Sequence, residues 1–211
     1  SYSLKIETGR YLSGATTASE RTPIGDGPDF ALTKRLDGVA TVAYPKWRRM
    51  DLGLANSPGG TLSSKTGQIT DLTRDGLYVG SGQHQNGANY GYLTIKSNNN
   101  KFFQTGRYVG NGADNRNLVD WEGTFFQPDI VWIHRITDGN QGCMRTSAYV
   151  GDLAQPVVGV AAINMIQAFL PNGFQLGTNG IVNSAGEIYD WWALKAIPGA
   201  VAVGSFVGDA T

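Results

Sequence analysis

Two histidines, one cysteine and a few carboxylates are the side chains of this 211-residue chain best suited to catalysis or metal binding. His84 lies in a Gln/Asn/Gly turn, and His134 stands beside Arg135 at the end of an apolar run. Covalent catalysis needs a nucleophile and a base within hydrogen-bond reach, and a zinc site needs several convergent ligands. No His-x-x-x-His or Cys-x-x-Cys spacing is present. Cys143 precedes Met144-Arg145; a thiol beside a cation is a candidate thiolate, but a small buried hydrophobe is the expected role. Glycosidase work requires two acids opposed across a cleft. Glu122, Glu187, Asp129 and Asp190 supply the residue type without a spacing that pairs them.

Gly106-Arg-Tyr-Val-Gly-Asn-Gly112 is glycine-rich but carries no Gly-Lys-Ser/Thr and precedes no helical pattern, so a phosphate loop is not expected. Asn111-Gly-Ala-Asp-Asn-Arg116 and Asp26-Gly-Pro-Asp29 offer oxygen ligands, yet match no calcium-loop spacing, and turn capping is their expected work. Neither metal nor cofactor is expected, and nothing demands an enzyme. Aromatics are the remaining chemistry. Trp132, Trp191, Trp192 and Tyr189 sit in strand-like runs and are expected in the core. Trp121, in a turn, and Trp47, in Pro45-Lys-Trp-Arg-Arg49, are the ones expected at the surface. Trp47, Arg48, Arg49 and Trp121 are therefore the candidate contact residues.

Hydrophobic residues make up 41% of the chain, charged residues only 16%, and glycine reaches 29 positions. Aromatics, Val, Thr and Gly-rich turns in this mixture point to an all-β fold. Lys+Arg and Asp+Glu balance at 17 each, so no field draws the protein to nucleic acid or to an anionic membrane. One cysteine excludes an internal disulfide. The opening Ser-Tyr-Ser-Leu-Lys has no apolar stretch of signal-peptide length, and no run reaches the ~18 apolar residues of a membrane helix.

The elements that must position these residues repeat. Thr8-Gly-Arg-Tyr-Leu-Ser-Gly14 matches Thr105-Gly-Arg-Tyr-Val-Gly-Asn-Gly112, and Pro28-Asp-Phe-Ala-Leu32 matches Pro128-Asp-Ile-Val-Trp132. Asp75-Gly-Leu-Tyr-Val-Gly80 matches Asn172-Gly-Phe-Gln-Leu-Gly177, and Tyr90-Gly-Tyr-Leu-Thr-Ile-Lys96 matches Tyr189-Asp-Trp-Trp-Ala-Leu-Lys195. The matches are collinear and set about a hundred residues apart, which predicts a tandem duplication. The expected architecture is two β-sandwich or jelly-roll-like repeats, residues 1–100 and 101–211. Asp75-Gly76 and Asn172-Gly173 are expected to form hairpins or tight turns, with glycine there to accept a positive φ at no steric cost. Ile130-Val-Trp-Ile-His-Arg-Ile136 predicts a central strand covered on both faces. A short helix is allowed over Val158–Phe169, where Ala161, Ala162, Met165 and Phe169 share a face. Gly204-Ser-Phe-Val-Gly-Asp209 repeats the unit's opening a third time and predicts a C-terminal strand. That strand either completes the second repeat or pairs with a neighbouring subunit.

The series Thr-Gly-x-Tyr-x-Gly-Asn-Gly, Phe-Gln-Pro-Asp-x-Val-Trp-Ile, Asn-Gly-Phe-x-Leu-Gly and Val-Asn-x-x-Gly-x-x-Tyr-x-x-Trp-x-x-Lys runs from Thr105 to Lys195. It resembles a domain common in structural proteins of tailed bacteriophages, notably marine ones. The first copy keeps Pro28-Asp29, Gly76 and Lys96, with Leu32 in the place of Trp132. The resemblance implies a virion component made in the host cytoplasm and brings no catalytic residues. The function expected is that of a non-enzymatic capsid decoration or tail-associated subunit. It would contact other virion proteins, and a symmetric homo-oligomer is expected. The alternative is an adhesin that binds host-surface glycans through exposed aromatics. A polysaccharide-degrading enzyme is the third reading, and would require exposed Trp beside paired acids.

Overall fold

The structure is a computed structural model that describes residues 4–14, 20–23, 27–37, 43–48, 54–55, 65–66, 68–81, 85–136 and 142–208. Among these residues it is nearly all β, as the composition predicts. The first run of strands is β1 (Leu4–Leu12), β2 (Glu20–Pro23), β3 (Phe30–Arg35), β4 (Tyr44–Trp47), β5 (Leu54–Ala55), β6 (Lys65–Thr66), β7 (Ile69–Thr73), β8 (Gly76–Val79) and β9 (Asn89–Ser97). After a 3-10 turn at Asn98–Asn100 come β10 (Phe103–Val109), β11 (Arg116–Leu118), β12 (Ile130–Arg135), β13 (Cys143–Thr146) and β14 (Gln155–Pro156). The last elements are β15 (Ile166–Leu170), β16 (Gly173–Leu176), the helical turn α1 (Gly180–Asn183) and β17 (Ile188–Leu194).

The strands form sheets ordered β1-β9-β3-β4 and β2-β8-β7, then β10-β17-β12-β13-β14 and β11-β16-β15, with β5 and β6 paired separately. All their pairings are antiparallel. Each large sheet packs one face on its small sheet, as in a β-sandwich. Ala31, Ile69, Leu72, Leu77 and Val79 fill the first such core. Val131, Ile133, Ile166, Phe174, Leu176, Tyr189 and Trp191 are among the residues of the second, larger one.

The other faces of the two large sheets meet. Phe30, Trp47 and Ile95 from one pack with Phe103 and Leu194 from the other, flanked by Trp132 and Trp192. Phe30 lies edge-on to Phe103 at 6.0 Å and to Trp192 at 5.7 Å, and Trp132 stacks on Trp192 at 6.3 Å. This joint explains the near-continuous apolar sequence of β12 and β17. Their alternate side chains serve two different cores, so neither face can be polar.

Both predicted hairpins are present. Leu170 pairs with Gly173 across Pro171-Asn172, and Thr73 pairs with Gly76 across Arg74-Asp75. Gly173 has ordinary negative φ, however. It is glycine because a Cβ there would collide with the carbonyl of Leu118 on the neighbouring strand.

The short helix allowed over Val158–Phe169 does not form. Gly159 and Asn164 take left-handed dihedrals, φ 117° and 62°, which no α-helix tolerates. Ala162 instead bridges to Ala154, and Ile166 onward enters β15. The helical turn α1 lies elsewhere, opened by Asn179, whose side chain accepts from Ile181 N at 2.9 Å. The expected C-terminal strand is likewise not formed within the chain. Val201 bridges only to Ile197, and residues 202–208 carry no regular structure. The places beside β9 and β17 that such a strand would take are already held by β1 and β10.

Candidate contact surface

The motif residues of the sequence act on the scaffold. Asp29 accepts from Ser97 N at 2.9 Å, and Asp129 accepts from Ala196 N at 2.8 Å. Each therefore fixes the chain where it leaves the last strand of its half. Their backbones recur as well: Asp29 N donates to Ile95 O and Asp129 N to Leu194 O. The Pro-Asp pair is thus a clamp on a sheet end. Tyr11 stacks on Tyr90 at 5.2 Å, and Tyr108 on Tyr189 at 5.1 Å. The hydroxyl of Tyr90 accepts from Gln85 N, and that of Tyr189 accepts from Ser184 N.

Buried polar groups in the second half are organised by two residues. Asn183 is fully buried. Its Oδ1 accepts from Asn111 N at 3.0 Å, and its Nδ2 donates to Ala113 O and Gly177 O at 2.8 and 3.0 Å. One amide thereby holds the Gly-rich turn at 110–113 against α1. Arg145, 7% exposed, donates to the carbonyls of Leu153, Ile166, Tyr149 and Gly151. Sequence reading passed over this role, because its partners are loop carbonyls scattered along the chain. The one signal was a cation inside a strand otherwise fit for the core.

The candidate catalytic groups are occupied or buried. Asp190, 1% exposed, takes a bidentate pair from Arg107 at 2.6 and 3.0 Å, and Glu122 pairs with Arg116 at 3.4 Å. Cys143 is fully buried, and burial pushes its thiol up to about 12, so it is no thiolate at neutral pH. His84 lies outside the described residues. Among those described, no three His, Cys, Asp or Glu side chains gather as a metal set.

His134 is 1% exposed, neither ring nitrogen has a partner among the described residues, and burial lowers its pKa from 6.5 to about 4. The unfolded chain takes up this proton near pH 6.5, while the folded one resists until about pH 4. The stability due to neutral His134 is therefore complete above pH 6.5, falls as the pH drops toward 4, and changes no further below. Denaturant titrations at pH 7 and pH 4.5 are expected to show wild type losing about 2–3 kcal/mol more than His134→Leu. Equal losses would contradict the burial of an unpaired ring.

The four surface candidates separate. Trp47 is 0% exposed: it faces Phe30 across β3–β4 and lies in the joint between the large sheets. The expectation of an exposed Trp47 is thus overturned, because its basic neighbours mark the end of a strand and not an open face. Arg48 is bound to Asp29 at 2.8 Å and to the carbonyls of Gly27 and Pro28. Arg49 lies outside the described residues. Trp121 alone is strongly exposed, at 87%.

Trp121 stands on a loop with a firm base. Gln104 bonds Gly123 O and Phe125 N at 3.0 and 3.1 Å, Thr124 N donates to Asn172 O, and Asn172 donates to Asp120. Phe125, exposed on the same loop, borders a groove of about 470 Å³ with Lys101, Phe102, Gln127, Pro171 and Lys195. Val150 is exposed within the loop that Arg145 holds, and Val158, Val160 and Ile163 are exposed in the segment that follows. The latter three belong to an unusual stretch: from Leu153 to Gly186 the chain has no charged residue. Comparison with protein-family models, curated proteins and solved structures returned no match.

Proposed function

We propose that the chain is a non-enzymatic structural protein of a tailed-phage virion, a capsid decoration or tail-associated subunit that works through protein–protein contacts. The observation that carries this reading is the exposure of Val150, in the loop fixed by Arg145, and of Val158, Val160 and Ile163 in the segment that follows. Exposed apolar side chains on a held segment favour contact with another protein. The motif series from Thr105 to Lys195, which resembles phage structural domains, supplies the setting. The matching clamps at Asp29 and Asp129 and the matching tyrosine stacks favour a unit duplicated in tandem. The partners proposed are capsid or tail proteins and further copies of the chain.

The test is immunogold electron microscopy of purified particles with an antibody raised against this chain. Regular label over the head would place it as a decoration protein, and label at the tail as a tail subunit. No label on any particle would overturn the virion reading.

Trp121, Phe125 and the lysine-edged groove favour a second reading, a glycan-binding adhesin. Exposed rings stack on sugar faces, and Lys101 and Lys195 suit acidic ones. On that reading Trp121→Ala with Phe125→Ala would abolish binding to host cells while changing stability by no more than about 0.5 kcal/mol. Undiminished cell binding by the double variant would remove it.

A further inference from the structure

We propose that residues 201–208 are a donor strand that seats on β9 of a second copy of the chain, in the place held there by β1. Val203-Gly-Ser-Phe-Val-Gly208 follows the pattern of Thr8-Gly-Arg-Tyr-Leu-Ser13 in β1 and Thr105-Gly-Arg-Tyr-Val-Gly110 in β10. In both strands each feature of that pattern has a job. Gly9 lies against the ring of Tyr92 and Gly106 against the ring of Trp191, too close for a Cβ at either. The tyrosine two residues on stacks with Tyr90 or Tyr189 of the adjoining strand.

The third occurrence has the features without the neighbours. Among the described residues, nothing lies within 4 Å of the position a Cβ would take at Gly204 or Gly208. Phe206 and Val207 are 94% and 96% exposed. A glycine reserved for close approach, followed by an aromatic and a valine left in water, is a docking sequence without its dock. The missing partner is an aromatic last strand of the β9 or β17 type.

The two acceptors differ in how firmly they are filled. Beside β17, β10 buries Phe103 and Tyr108, and the Tyr108 hydroxyl donates to Val182 O at 2.5 Å. Beside β9, β1 has no buried residue: Ile6 and Leu12 are 40% and 62% exposed, and Lys5 and Glu7 pair with each other at 3.0 Å. β9 is therefore the acceptor that can change strands. In the β1 register Tyr11 faces Tyr90 and Leu12 faces Asn89, so Phe206 takes the stacking place and Val207 the place opposite Asn89. Val201 and Val203 take those of Ile6 and Thr8, giving a more apolar strand for a face that packs on the joint. Backbone hydrogen bonds supply affinity, and the glycine and ring supply register. The inference does not depend on the virion reading.

The test uses the full chain. Wild type is expected to associate at micromolar concentration by light scattering, whereas Gly204→Val is expected to be monomeric with the melting temperature of dilute wild type, since nothing among the described residues lies within 4 Å of where its Cβ would stand. Two differently tagged variants, Asn89→Cys and Val207→Cys, are expected to form a mixed disulfide on oxidation. The buried Cys143 does not compete. A wild type monomeric at all concentrations, an associated Gly204→Val, or no mixed disulfide would each overturn the proposal.

Discussion

Trp47→Ala is expected to lower folding stability by about 3–5 kcal/mol, the range for truncating a fully buried large aromatic. Trp47 packs with Phe30, Ile95, Phe103 and Leu194, and so contributes to the joint between both large sheets. Its removal leaves a cavity that neither sheet can close without shifting its partner strands. Its indole N–H has no acceptor among the described residues, so Trp47→Phe, which keeps the apolar ring, is expected to cost much less. Urea denaturation of the three proteins checks this. A surface contact residue would behave in the opposite way, losing binding and keeping stability.

Arg145→Met is expected to cost a similar amount, about 3–5 kcal/mol, because it leaves several loop carbonyls without donors at once. Methionine keeps the stem volume but loses the guanidinium that overlies the ring of Phe169 at 5.8 Å. What is lost is the fork that joins Tyr149, Gly151 and Leu153 to Ile166. Lysine is expected to rescue little, since one ammonium cannot reproduce that planar fork. Hydrogen exchange should rise first over residues 149–154, ahead of global unfolding. Exchange unchanged in that loop would contradict the role assigned to Arg145.

Sequence periodicity located β12 and β17, because strands covered on both faces leave a near-continuous apolar trace, interrupted here by His134 and by Asp190. Dipeptides located both hairpins. The reason for Gly173 was misread, since turn chemistry is local and the carbonyl of Leu118 that excludes a side chain is not. Trp47 failed for a related reason: Lys46, Arg48 and Arg49 colour the segment as surface, and only the joint between sheets reveals otherwise. Lys46 itself is 2% exposed. The helical spacing of Ala161, Ala162, Met165 and Phe169 was real but subordinate to Gly159 and Asn164, whose dihedrals turn the chain into β15. Of the contact candidates, Trp121 was legible because it stands in a turn without a strand pattern around it. The exposure of Val150, Val158, Val160 and Ile163 was not, because such residues are indistinguishable from core residues until the fold leaves them outside.

The recurrent Pro-Asp motif clamps the same sheet end in both halves. Thermal denaturation of Asp29→Ala, Asp129→Ala and the double variant tests it most directly. Each single change removes the acceptor for one backbone N–H, of Ser97 or Ala196, at an expected cost of about 1–3 kcal/mol. For a chain of this size that lowers Tm by about 2–4 °C per kcal/mol. Similar losses are expected from the two single variants, with near-additivity in the double. A neutral Asp29→Ala or Asp129→Ala would contradict it.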